Sequence, residues 1–232
     1  PVDEHLPVAE EIIPPLPDEE LQAEVDQLSA QNLLFEIAPF KVFCAPAAAI
    51  PNIILEIGRL REETFRLVGE GTNKKIDLDE YDIYYRHLFI WDCEARKIVG
   101  AYRIGMGTEI IQEYGIKGFY IYSLYRISEG FKPVMSSAIE LGRSFIVSEY
   151  QKKPLSLYCL WKGILYFLLK HPEYRYLIGP VSISNRFSDF SRSLMIEYIS
   201  QHYFDNELAK YVMPRNPFIP DTGDVDVEIL LE

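Results

Sequence analysis

The chain has 232 residues, 48% hydrophobic and 13% aromatic, long enough for one sizeable core or for one domain with an appendage. No apolar run approaches the roughly 20 residues that cross a bilayer, and no basic-then-apolar leader is read, so a soluble cytoplasmic protein is expected. Three cysteines, Cys44, Cys93 and Cys159, odd in number and far apart, speak against both a disulfide framework and a zinc site.

The net charge of -12 is unevenly spread. Residues 1–30 hold nine acids and residues 221–232 hold five, with no Lys or Arg in either, so residues 31–220 carry 21 acids against 23 bases. Within that stretch, residues 143–192 hold eight bases and three acids. A locally basic middle suits an anionic partner, and equally a solvated surface of mixed charge. The expected organisation is an acidic Pro-rich linker with a short helix over 1–30, a main domain over 31–220 and an acidic tail over 221–232. The missing initial Met suggests a piece excised from a longer protein, and the final Leu-Glu a cloning remnant.

Taken in chain order, the first 17 residues carry five prolines and read as an extended arm. "PDEELQAEVDQLSAQN" then reads as an amphipathic helix with Asp18 as its N-cap. "FKVFCA" at 40–45 reads as a first strand, and Pro51 opens a helix whose Ile53, Ile54, Ile57, Leu60 and Thr64 share one face. "HLFIWDCEARKIVGAYRIGMG" reads as a hairpin turning at Cys93–Lys97, and residues 114–135 are aromatic-rich without a clear period. "SAIELGRSFIVSE" predicts a central strand, Pro154 the start of a helix, "RYLIGPVSIS" a further strand, and Ser188 the cap of a last helix. This order implies an α/β (α+β) fold, a mixed central sheet with parallel strands at its heart and helices on both faces.

Glu140 and Arg143 stand three apart in a strand of apolar content. Buried charges are costly unless paired or used, so the two mark a structural ion pair or a working site.

"ELGRSF", "HLFIWD", "IVGAYRI" and "LWKGI…YLIGPVSI" resemble the GNAT acyltransferase superfamily over roughly residues 38–200, within it the branch of ornithine and glycine lipid N-acyltransferases long labelled hemolysins. The resemblance implies two central strands that splay apart, with an acyl thioester between them. A more distant resemblance, to acyl-homoserine-lactone synthases, rests on Arg61 and Phe65 in an Arg-x-x-x-Phe pattern, Asp79 and Asp82 in Asp-x-x-Asp, Arg103, and Glu140 with Arg143. The Trp that those synthases carry before the acidic pair is absent from "LVGEGTNKK", which opposes S-adenosylmethionine as second substrate.

Many members of the superfamily hold the pyrophosphate of coenzyme A on a glycine-rich loop whose N–H groups approach the phosphates. The equivalent "SEYQKKPLSLY" has no glycine, while Lys152, Lys153 and Lys162 are basic. Acyl carrier protein presents a single phosphate and is strongly acidic, so it is the expected donor, with acyl coenzyme A second.

What the resemblance implies for the site is then specific. Ser144, Phe145, Ile146 and Val147 would hold the thioester arm. Glu140 would act as base, directly or through a water, or pair with an arginine; Arg143 would bind the acceptor's carboxylate or pair with Asp79 or Asp82. Arg61, Phe65, Asp79, Asp82 and Arg103 would frame the acceptor. Neither a metal nor a bound cofactor is required.

The aromatic stretch "GFYIYSLYRISEGF" could line an acyl channel, form a membrane-facing lip or cover the sheet. His87 and His171 read as structural, Cys159 as packing, and Ser182 and Ser184 lack the surroundings of a hydrolase nucleophile. The expected activity is transfer of a long, 3-hydroxylated or plain fatty acyl group from acyl carrier protein to the amine of ornithine or glycine, in bacterial aminolipid synthesis. The rivals are a homoserine-lactone-type synthase, an acetyl-coenzyme-A-dependent acetyltransferase, and a non-catalytic module attached to a second acyltransferase domain. Peripheral contact with the inner membrane is expected and nucleic acid is not.

Overall fold

The computed structural model describes residues 9–28, 30–184, 186–221 and 223. Its frame is a six-stranded sheet in the order β1-β2-β3-β4-β6-β7. The strands are β1 (Leu33–Ile37), β2 (Phe40–Pro46), β3 (Arg86–Asp92), β4 (Lys97–Met106), β6 (Ala138–Ile146) and β7 (Tyr176–Ile178); β5 (Tyr125–Ile127) pairs with β8 (Val212–Pro214) in a second, two-stranded sheet. The helices of ten residues or more are α1 (Asp18–Gln27), α2 (Pro51–Val68), α7 (Pro154–Lys170) and α8 (Asp189–Tyr203). Shorter helical segments are α3 (Tyr81–Tyr84), α4 (Gly107–Tyr114), α5 (Ile121–Leu124), α6 (Lys132–Ser136) and α9 (Asn206–Ala209).

The sheet is mixed, as the alternation of elements implies, yet most of its pairings are antiparallel. The parallel pairing is confined to β6 and β7 at the sheet's edge, where only Ala138, Ile139 and Glu140 have partners. "RYLIGPVSIS" yields three residues of strand because Pro180 has no N–H to donate and Gly179 presses against the Leu141 carbonyl, after which the two chains part. Beyond Glu140, β6 pairs with no strand but β4 among the described residues, and Gln151 Nε2 donates to the Ile146 carbonyl at 2.9 Å. The expected splay is present, opened by a proline.

Helices cover both faces. Gly163 of α7 sits against Leu88 and Val42, and a Cβ there would crowd both side chains. Alternation along β3 and β4 turns His87 and Arg103 to the opposite face, under α2. Ile53, Ile54, Ile57 and Thr64 of α2 are buried as their periodicity predicts, with Leu60 half-buried. Buried on the same helix are three charged residues that an apolar-face reading passes over: Glu56, Arg61 and Glu62.

Several expectations need adjusting. β1 escapes a reading that starts the sheet at "FKVFCA". Asp18 is the first helical residue rather than a cap: Pro17 precedes it, without any side-chain cap. The described acidic arm lies along the domain, with Glu10 and Ile13 N–H groups donating to the Asn73 and Lys75 carbonyls. Glu24 then supplies what α2 lacks at its own start, its carboxylate accepting from the N–H groups of Asn52 and Ile53 at 2.6 and 2.9 Å. The Ser188 cap forms as expected, its Oγ accepting from Ser191 N at 3.1 Å.

The excursion from β4 to β6 builds a second apolar cluster from Tyr85, Ile110, Ile116, Phe119, Ile121, Phe131 and Met135. Phe119 and Phe131 of the aromatic stretch are buried in it, and its tyrosines are half-buried. None of these rings is fully exposed.

Candidate active site

A regular strand would put Glu140 and Arg143 on opposite faces, because three steps is an odd number. β6 is not regular there. Ala101 faces Phe145 and Arg103 faces Gly142, so Arg143 and Ser144 together oppose the single residue Tyr102. This bulge places Arg143 at φ +51, in the left-handed region that side-chain-bearing residues seldom occupy. The extra residue turns the guanidinium back to the α2 face, 3.5 Å from Asp77 and 3.9 Å from Asp79, with the Tyr120 ring beneath it at 5.6 Å.

Around it the spaced charges of the sequence come together. Arg61, 1% exposed, clamps Asp82 through both terminal nitrogens at 3.0 and 2.8 Å. Arg103 donates to Asp79 at 2.5 Å and lies 3.4 Å from Asp82. The rings of Tyr81, Tyr85 and Tyr120 surround Arg103 at 5.3–5.4 Å, so its charge is held by carboxylates on one side and aromatic faces on the other. Asp77, which no motif singled out, completes a balance of three arginines and three aspartates. Balance is what permits such burial.

Phe65 stands apart from this set, half-buried against the main core.

Burial raises the Asp82 carboxyl, but the nearby guanidinium charges of Arg61 and Arg103 and the bonds from Arg61 outweigh it and hold the group down at about 2. Asp77 goes the other way, raised by burial faster than its arginines lower it. His87, buried with its ring nitrogen 2.9 Å from the Asp82 carbonyl, is pushed down to about 4 and is neutral at pH 7. Since the unfolded chain takes up that proton near the usual 6.5, stability from His87 is present above this pH and is lost as pH falls toward 4. The melting-temperature difference between wild type and His87→Gln is therefore expected to shrink from pH 7 to pH 4. A constant difference would show that His87 titrates normally.

Among the described residues Glu140 pairs with no arginine in an ion bridge. Its Oε1 accepts from Ile121 N at 2.8 Å, and its Oε2 from Tyr120 N at 2.9 Å and from the Tyr85 hydroxyl. Burial raises its carboxyl, opposed by these donors. The Tyr85 ring reaches it because the residue facing Glu140 on β4 is Gly105, where a Cβ would strike that ring. Tyr120 joins the two halves of the site, its N–H on Glu140 and its ring under Arg143. At Gly142, between them, a Cβ would meet nothing within 4 Å, so open space lies over the bulge.

Ser144 is exposed, Ile146 half-buried, and Phe145 and Val147 buried, along the stretch of β6 that β7 leaves unpaired. That free edge can take a further extended chain by backbone hydrogen bonds. Lys152 and Lys153 are exposed just before α7, Lys153 over the Tyr150 ring at 4.1 Å, and Lys162 lies along the helix. A cavity of about 410 Å³ opens between Pro15–Leu21, α2 and the β3–β4 turn; of the predicted thioester residues only Val147 lines it, and none of the charged cluster does.

With this geometry in place, comparison with known proteins is decisive. An acetyltransferase (GNAT) domain model matches residues 60–162, which contain every predicted site residue. Glycine N(alpha)-acyltransferase of Bacteroides thetaiotaomicron is 32% identical over 232 residues, covering 95% of this chain and 68% of the relative. The protein of that name from Phocaeicola vulgatus is 32% identical over 233 residues, covering 95% and 70%. The chain belongs to the GNAT N-acyltransferase family. Its chemistry is acyl transfer, and the six-stranded mixed sheet with its splayed edge is the family's fold. Sequence reasoning in this family missed Asp77, Tyr85, Tyr120 and Gly105. Tyr85 and Tyr120 sit in runs so rich in tyrosine that neither stands out, and only the register shows Gly105 opposite Glu140.

Proposed function

We propose that this chain transfers a long fatty acyl group from acyl carrier protein to the amine of glycine. The observation that carries the reading is Arg143, about a quarter exposed, held by its aspartates only at 3.5 and 3.9 Å, and set beside the open space at Gly142. A loosely paired guanidinium at an opening suits a carboxylate bidentately. The relatives named for glycine indicate which amino acid to offer first.

In this reading the thioester arm lies along the unpaired edge of Ser144–Val147. The glycine amine, having lost its proton toward Glu140, attacks the thioester carbonyl; the tetrahedral intermediate collapses to the amide and the carrier's thiol takes up a proton. Arg61 with Asp82 and Arg103 with Asp79 neutralise one another and act as the frame that fixes the loop under Arg143. The glycine-free loop before α7, with Lys152 and Lys153 exposed, supports a carrier-protein donor over coenzyme A. The product would enter bacterial aminolipid synthesis.

The test is thiol release from long-chain acyl carrier protein and from acyl coenzyme A, each offered with glycine, ornithine and S-adenosylmethionine. Glycine-dependent release from the carrier protein is expected. Release from acyl coenzyme A alone, or a response to ornithine and not glycine, would overturn the donor or the acceptor respectively.

A further inference from the structure

A helix on the outside of a domain normally turns polar residues to water. α7 does not. Ser156, Cys159, Leu160, Gly163, Ile164 and Phe167 are buried toward the sheet, yet on the outer side Leu157, Tyr158, Trp161, Leu165 and Leu169 are 53–70% exposed. Leu157, Trp161, Leu165 and Leu169 follow one another at four-residue steps, a ridge about 18 Å long at 1.5 Å per residue. No helix of the described residues is long and apolar enough to cross a membrane, so the ridge is a surface feature.

The charges around it are mostly positive, five bases against Glu149 before the helix and Glu173 after it. α7 contains no Asp or Glu, and its charged residues are Lys162 and Lys170, with Lys152 and Lys153 exposed before it and Arg175 after it. This stands out in a chain of net charge -12. Lys162 is fixed at the edge of the ridge, its ammonium over the rings of Phe35 at 4.8 Å and Tyr166 at 5.5 Å.

We propose that the outer face of α7 docks on an anionic lipid bilayer. Leucines reach the acyl boundary, Trp161 and Tyr158 sit at headgroup depth where amphipathic rings are favoured, and the lysines meet lipid phosphates. A convex ridge fits a bilayer, which moulds to any shape, whereas a protein partner would need a matching groove. The inference stands on the apolar ridge with Lys162 and Lys170 and does not depend on the acceptor; Lys152 and Lys153, which also support the carrier-protein donor, are not needed for it.

The two tryptophans make the test direct, because Trp91 is fully buried and Trp161 is 56% exposed. With phosphatidylcholine vesicles containing phosphatidylglycerol, the emission is expected to shift to the blue and the protein to co-sediment; pure phosphatidylcholine or high salt should weaken binding severalfold. Leu165→Glu, or Leu169→Glu at the most exposed position, should reduce co-sedimentation at least tenfold with an unchanged melting temperature. Absence of vesicle binding would overturn the proposal. So would a homodimer, or a complex with acyl carrier protein, that Leu165→Glu dissolves, since the ridge would then belong to that protein.

Discussion

Replacing Asp82 by alanine is expected to cost about 3–5 kcal/mol, the range for removing one partner of a buried ion pair. Asp82 accepts two bonds from Arg61 and one from Asp79 N at 2.9 Å, and it stands 3.4 Å from Arg103. Without it Arg61 is left 1% exposed with no carboxylate in hydrogen-bonding contact, its closest remaining acid being Asp77 at 3.9 Å from Nε. Arg103 keeps Asp79. For a chain of this size, each kcal/mol lowers the melting temperature by about 2–4 °C, so a fall of about 6–20 °C is expected in a thermal melt. Asp82→Asn preserves the shape and one acceptor and should fall between. A shift of a degree or two for Asp82→Ala would mean that water or another carboxylate takes its place, and that this cluster is not the frame of the site.

Glu140→Gln should reduce kcat/KM by about 10²–10⁴, the usual contribution of a positioned proton acceptor. It should also lower the melting temperature. The carboxylate accepts from two backbone N–H groups and a hydroxyl, and an amide placed there turns its NH₂ toward one of these donors. One unmatched buried donor costs about 1–3 kcal/mol. Tyr85→Phe separates the two effects, since it removes a donor and keeps the carboxylate, and should retain most of the turnover. Because burial raises the Glu140 carboxyl, kcat/KM of the wild type should fall on acidification at a pH above the ordinary carboxylate range, and the Gln variant should lack that limb. Undiminished turnover in Glu140→Gln would remove Glu140 from the chemistry and leave it as the acceptor that caps the start of α5.

The linear pattern was sufficient for much of this. Pro51 and Pro154 at helix starts, the apolar hairpin turning at Cys93–Lys97 and the Ser188 cap are local signals, and the structure has each of them where the residues say. Of the spaced set legible through resemblance, Arg61, Asp79, Asp82, Arg103 and Arg143 meet in space, Glu140 is linked to them through Tyr85 and Tyr120, and Phe65 stands apart. The partners each residue chooses were not legible. Arg103 takes Asp79 and Arg61 takes Asp82, while Asp77 enters from a loop of ordinary acidic composition.

By itself, then, the sequence determined the main strands and helices, because periodicity and caps are properties of neighbours along the chain, while the family and the charged set came from resemblance. Only the tertiary structure decided how the site works as a surface. One inserted residue at the β6 bulge reverses which face Arg143 occupies, and parity cannot be read without the partner strand. One glycine at 105 admits the Tyr85 ring to Glu140, and one proline at 180 ends the pairing of β7 and frees the edge of β6. Each of these depends on what lies opposite in a neighbouring strand, which is fixed by long-range register rather than by local propensity.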